Sequence, residues 1–278
     1  MTTSIKEFND ILTAEVYVDL DKLRESARHG VPLDVRGVKI QLDDDYALSN
    51  SSEVWKYLLG VNPADRSQEL TSLKDKYEEY LTIEKENSDI IKRVRGEVSR
   101  YQRKIKDVDG ANATIFENVI GAYMNNNRDV DYYPALVHLC GPFVYCIKSE
   151  SDVYHCYTRL MATLDEYNST HNINERVANF MTLFRSVIPD FYFEDEEVDI
   201  NEWASSWLQF LLSRELQLED LMRLWAVLKH TRENLEELEH SEIRTLLLRL
   251  PAMDMEQIIN QAFNFRHEIL ERQYSDFV

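Results

Sequence analysis

The stretch Asp131 to Met161 reads DYYPALVHLCGPFVYCIKSESDVYHCYTRLM, and it is apolar over most of its length while repeating at helical intervals. Pro134 sets its start. A residue without a backbone N–H would break a helix interior, yet it is tolerated in a first turn, where that donor has no intrahelical acceptor. Tyr133-Pro134 therefore opens a helix that continues through Leu136 and Leu139. Cys140, Cys146 and Cys156 recur along the same stretch without a C-x-x-C pair, and an odd total leaves no complete disulfide framework. They read as buried, reduced thiols. His138 and His155 lie nearby, but metal sites show tighter ligand pairs, and no metal or cofactor is expected.

The rest of the chain agrees with that helical reading. Only seven Gly and six Pro interrupt 278 residues, and the long runs between them that are periodic repeat at helical spacing. The expected class is all-α, with enough chain for one large domain or two packed helical subdomains, 1–165 and 166–278. No window approaches the roughly 20 apolar residues of a membrane span, and Met1 to Asp10 is too polar for a signal peptide. A cytosolic or nuclear location is expected, with recruitment to membranes or other structures through partners. The net charge of −19 argues against nucleic acid and against direct binding to anionic lipid.

Individual segments add detail. Ile5 to His29 reads as a helix pair or one long helix ending at Gly30, with Pro32 as a stop. Leu70, Leu73, Tyr77, Tyr80 and Leu81 recur at steps of three and four, which predicts one buried stripe on a polar helix. A coiled coil fits less well, because the heptads are not sustained past Asn87. The basic run Lys92 to Lys106 reads as a solvated helix face, or as a docking edge for an acidic partner. Asp43, Asp44 and Asp45 lack the spaced ligands of a calcium loop and read as a solvated turn. Asp199 with Glu202, and Asp254 with Gln257, form capping boxes. His29, His171 and His240 are scattered and read as surface residues. There is no Gly-rich phosphate loop, no H-E-x-x-H and no G-x-S-x-G, so a small-molecule enzyme is poorly supported.

Several of these segments together resemble the TBC domain, a GTPase-activating module for Rab-type G proteins. Gly30, Pro32, Arg36 and Gly37 match its G-[IV]-P-x-x-x-RG opening, and Trp55, Leu58, Leu59 and Gly60 match its W-x-x-LL segment. The insert between the two is longer than in most members. Tyr132 and Pro142 fit the Y-x-QG-x3-L-x2-P stretch. Leu211, Ser213, Leu216, Arg223 and Trp225 fit the W-x2-LFS segment and its R-x-WD continuation, although Ala226 replaces the usual Asp. Leu246 to Phe263 resembles the closing LP-x-x-D segment. The likeness runs from about Gly30 to Phe263, in order.

The resemblance implies a loss of chemistry. TBC domains supply an Arg, from an I-x-x-D-x-x-R loop, that neutralises charge on the phosphates, and a Gln, from Y-x-Q-G, that positions the attacking water. An arginine finger is worth about 10³ to 10⁵ in rate, or roughly 4 to 7 kcal/mol of transition-state stabilisation. Matching Asp107 to the family's Asp puts Gly110 at the Arg position, and Pro134 stands where the Gln belongs. No Arg occurs from Lys104 to Asn127 and no Gln from Arg103 to Leu208, so no shift of register restores either. The segment between this loop and Tyr132 is also shorter than in typical active members. The resemblance thus implies a catalytically inactive adaptor or scaffold that binds a Rab-type GTPase or subunits of a protein complex. Arg36, Trp55, Asp107, Tyr132, Arg223 and Trp225 would then be packing or partner-binding anchors. The alternative is an active GTPase-activating protein with a non-standard finger, for which Arg128 and Arg103 are the candidates.

Overall fold

The computed structural model describes residues 5–28, 31, 50–104, 112–187 and 200–228. Within them the chain is helical: α1 (Ile5–Leu12), α2 (Leu20–Arg28), α3 (Asn50–Leu58), α4 (Glu69–Thr82), α5 (Ser88–Lys104), α6 (Ala113–Asn126), α7 (Ala135–Cys146), α8 (Glu150–Thr170), α9 (Ile173–Val187), α10 (Ile200–Phe210) and α11 (Leu218–Leu228). The described residues contain no strand, only one isolated bridge between Tyr17 and Asp65. No described helix is long and apolar enough to cross a membrane. The all-α expectation holds, and Ile5 to Arg28 is a helix pair rather than one rod.

Helix starts follow local chemistry. Asp19, Asn87, Ser149 and Asn172 each precede a helix and accept a hydrogen bond from a backbone N–H in its first turn. Those amides have no acceptor within the helix, so the short polar side chain replaces water.

By its contacts the chain divides into two compact units, Met1–Glu166 and Tyr167–Val278. The first is built around α7, which is buried from Ala135 to Val144 and packs against α3, α5 and α6. A helix apolar on all sides belongs in a core rather than at a surface. Two glycines allow the close approaches. A Cβ on Gly141 would collide with the Tyr101 ring, and one on Gly121 would collide with the backbone carbonyl of Lys85. Cys140 and Cys156 are buried, and burial pushes both thiols well above the usual range.

In the second unit Val177, Phe184, Trp203, Ala204 and Trp207 form the core. Trp203 and Trp207, one turn apart on α10, meet edge to face at 5.1 Å, and Phe180 of α9 packs against both. The chain leaves α10 through Leu211 and Leu212, whose φ angles of 47° and 62° lie in the left-handed region that disfavours a Cβ.

One expectation fails on α4. Of its predicted apolar stripe only Tyr80 is buried; Leu73 is half-buried, and Leu70, Tyr77 and Leu81 face outward. Tyr80 is held by its own bonds, its hydroxyl donating to Glu150 Oε1 at 2.6 Å. Periodicity marked an apolar face correctly, but nothing described in unit 1 covers it. Asp43 to Asp45, Asp199, Asp254, Gln257, His29 and His240 lie outside the described residues.

Candidate functional site

Of the residues that sequence reading placed at the chemistry, Arg103 lies on α5, Arg128 in the turn after α6 and Pro134 at the start of α7. Pro134 caps α7 with φ −59° and ψ −29°, and its carbonyl accepts from Val137 N–H at 3.2 Å. The ring has neither donor nor acceptor, so this side chain cannot orient a water molecule.

Tyr132 is clamped to α5 through both its side chain and its main chain. The Arg93 guanidinium lies 4.5 Å from the centre of its ring and donates from Nη2 to its carbonyl at 3.3 Å. In return the Tyr132 hydroxyl donates to the Arg93 carbonyl at 3.3 Å. Burial raises the Tyr132 phenol, and nearby Glu97 adds to that shift. Tyr133 is pushed up to about 12 by burial, with a further push from Asp165. Neither tyrosine ionises near neutral pH.

Beneath this clamp sits a buried carboxylate. Glu97 Oε1 lies 3.1 Å from His138 Nε2, and its Oε2 accepts from Arg100 Nη1 at 2.5 Å. Burial alone would raise the carboxyl, but the His138 and Arg100 hydrogen bonds outweigh it and hold Glu97 below its ordinary value. Arg95 fixes the same helix to α6 through a two-pronged contact with Glu117, at 2.8 Å from both Nε and Nη2. The basic run is therefore solvent-facing but partly tied down: Arg93, Arg95 and Arg100 all have specific partners. His138 faces Glu97 and His155 faces the Lys76 carbonyl, so these two histidines serve separate contacts.

The remaining site residues fall in different places. Arg103 is exposed on α5 and donates from Nε to the Ser99 carbonyl at 3.1 Å. Arg128 is exposed in the turn after α6. Trp55 is buried and meets Phe143 edge to face, with centroids 6.2 Å apart. Trp225 is buried and its indole donates to the Leu211 carbonyl. Both indoles lie in the interior. Arg36, Asp107 and Gly110 lie outside the described residues, and Arg223 is described only as part of α11.

The Rab-GTPase-TBC domain family matches residues 50–249, most of the sequence and every described helix from α3 to α11. The chain belongs to the Rab-GTPase-TBC domain family. Among curated proteins, this TBC chain is 23% identical to the GTPase-activating protein gyp1 of Schizosaccharomyces pombe over 271 residues, covering 81% of the chain and 48% of the relative. It is 23% identical to GTPase-activating protein GYP1 of Saccharomyces cerevisiae, covering 80% of the chain and 39% of the relative. Human TBC1 domain family member 13 is 24% identical over 184 residues, 53% of the chain and 46% of the relative. The chain spans about half the length of the curated relatives it matches, or less. Among solved structures, the Ypt/Rab-GAP domain of Gyp1p superposes with a TM-score of 0.71 at 18% identity, covering 95% of this chain and 98% of that one. The TBC fold is common to both.

Sequence reading missed the Arg93–Tyr132 clamp and the buried Glu97. The second left a signal. Val94, Glu97, Val98 and Tyr101 share one helical face, and a carboxylate among buried apolar positions demands a partner.

Proposed function

We propose that this TBC domain binds a Rab-type GTPase, or subunits of a complex containing one, as an adaptor that does not itself supply the two side chains of GTPase activation. The observation that carries this reading is Pro134. It stands at the Gln position as the cap of a buried helix, and no Gln lies between Arg103 and Leu208 to replace it. The Arg position falls on Gly110, in a stretch without any Arg from Lys104 to Asn127. The Arg93–Tyr132 clamp supports the same view, since it preserves the shape of the motif edge while offering no amide to a water molecule. The adaptor acts on membranes only through the partners it binds.

A second reading rests on the exposure of Arg128 and Arg103, either of which would serve as a finger if the G protein kept its own Gln. Single-turnover GTP hydrolysis by a panel of Rab-type GTPases, paired with pull-downs in GTP and GDP states, separates the two. Binding without acceleration is expected. Acceleration lost in Arg128→Ala or Arg103→Ala would overturn the adaptor reading and establish the second; acceleration that survives both would overturn both.

A further inference from the structure

The exposed positions of α5 are basic almost throughout. Lys92, Arg93, Arg95, Arg100 and Arg103 all face solvent, and Asp89 in the first turn is the one exposed acid among the helix's described side chains. By the helical repeat, Lys92, Gly96, Ser99 and Arg103 fall in one row along the outermost side, about 16 Å long over three turns. Arg95 stands on the α6 side of that row, where it meets Glu117, and Arg100 on the α7 side, where it meets Glu97. Both are level with the two small residues. Gly96 has open space where a Cβ would go, and the Ser99 hydroxyl turns down to the Arg95 carbonyl at 3.0 Å. The middle of the row is therefore a low floor with a cation at each end and one on each side. The bond from Arg103 Nε to the Ser99 carbonyl draws that guanidinium back toward the floor.

The charges on this face say what fits it. Arg95 and Arg100 are fixed by Glu117 and Glu97 and keep further N–H donors to spare. Lys92 and Arg103 have no carboxylate partner among the described residues. Arg93 is left out of the surface, because its guanidinium lies against the Tyr132 ring and Asp131 adjoins Tyr132 on that side. The total charge of −19 then limits the size of the occupant. With screening over about 8 Å at physiological ionic strength, a short acidic segment feels mainly the four cations around it. A nucleic-acid duplex, an anionic bilayer or a second copy would extend past them and meet the chain's own carboxylates. We infer that the outer face of α5 docks a short acidic segment of a partner protein, its carboxylates against Lys92, Arg95, Arg100 and Arg103 and its main chain over Gly96 and Ser99. Guanidinium forks suit carboxylates, and the bare floor lets a backbone come close enough to reach them. Arg103 is also a finger candidate in the second reading above, but this docking needs no GTPase and rests on neither reading.

The test uses the full chain and two fluorescent peptides of about eight residues, which when extended outreach the row. One is rich in Asp and Glu; its twin carries Asn and Gln at the same positions. The acidic peptide is expected to bind, and the amide twin to bind at least about tenfold more weakly. Lys92→Glu and Arg103→Glu should each weaken the acidic peptide by at least about tenfold, whereas Lys74→Glu, an equal charge change on α4, should leave it within about twofold. Gly96→Gln alters no charge, and by filling the floor it should weaken the peptide about threefold or more. No binding, equal binding of the two peptides, α5 reversals no worse than Lys74→Glu, or indifference to Gly96→Gln would each overturn the proposal. So would tighter capture of duplex DNA or phosphatidylserine vesicles by the same face, or a dimer in light scattering that Lys92→Glu dissolves, since a broad polyanion or a second copy would then be the occupant. Should a glutamate variant fail to fold, Lys92→Gln and Arg103→Gln take its place, with the same order expected.

Discussion

Trp225 donates its indole N–H to the main-chain carbonyl of Leu211 at 3.0 Å, fastening α11 to the left-handed turn that ends α10. Leu211 and Leu212 both hold positive φ, a conformation that costs an L-residue roughly 1–2 kcal/mol. A buried ring bonded to the turn's own carbonyl helps to hold it. Trp225→Phe keeps the apolar body and removes the donor, so a loss of about 1 kcal/mol or more is expected. Chemical denaturation followed by circular dichroism checks it; an unchanged midpoint would show that packing alone holds the turn.

Glu97 makes stability sensitive to acid. Its carboxyl is held below the ordinary value in the folded chain by His138 and Arg100, against the opposing push of burial. The stabilisation is therefore present above the unfolded carboxyl pKa and is lost as pH falls through the lower, folded one. Glu97→Gln should flatten the fall in thermal midpoint below about pH 4.5 and lower the midpoint at pH 7. A variant with the same acid profile as the unaltered chain would contradict this account.

Lys56 is almost fully buried between Glu53, at 2.5 Å, and Asp152, at 3.2 Å, and so links α3 to α8. Burial disfavours its charge, yet the two carboxylates more than compensate and raise the ammonium above its ordinary value. Lys56→Ala would leave two carboxylates facing an apolar interior, at a cost of about 3 kcal/mol. Lys56→Met fills the volume but still strands both acids, so it too should destabilise, which unfolding curves at pH 7 will read.

Two helical glycines should respond in opposite directions to alanine. Gly96 has open space where a Cβ would go, and Gly96→Ala should stabilise α5 by about 0.5–1 kcal/mol. Gly121 faces the Lys85 carbonyl, which cannot swing away as a side chain does. Gly121→Ala should therefore destabilise by about 1–3 kcal/mol. Thermal melts of the pair decide: a fall for Gly96→Ala would contradict the open space there, and no fall for Gly121→Ala would show that α6 can slide.

The contrast between these glycines marks where sequence reading stops. Both sit in helical runs with nothing local to distinguish them, because the collision arises from a residue far away along the chain. Helices themselves were legible, since periodicity and breakers are local: Pro134 opens α7, as its tolerance of a first turn predicts. Burial was legible only where apolar residues encircle the helix, as in α7. On α4 the spacing of Leu70, Tyr77 and Leu81 announced an apolar face, but spacing does not say whether anything covers it. Along the motif edge, Tyr132 was readable as a motif residue, while its clamp to Arg93 depends on how two segments meet.

Arg66 carries a lesson about where this molecule can be cut. From the entry to α4 its Nη1 donates to the carbonyls of Leu12 and Ala14, both at 2.9 Å, while Nε grips Glu69 at 2.7 Å. The hairpin of α1 and α2 is thereby sewn by its main chain to a helix that lies well beyond it in sequence, and Phe8, Leu23 and Ala27 lie wholly inside. The sequence match to the family spans residues 50–249 and so begins beyond that hairpin. The recognisable stretch and the cooperative unit thus have different edges: a fragment trimmed to the former would strip off part of its own interior and leave a guanidinium reaching for acceptors no longer there.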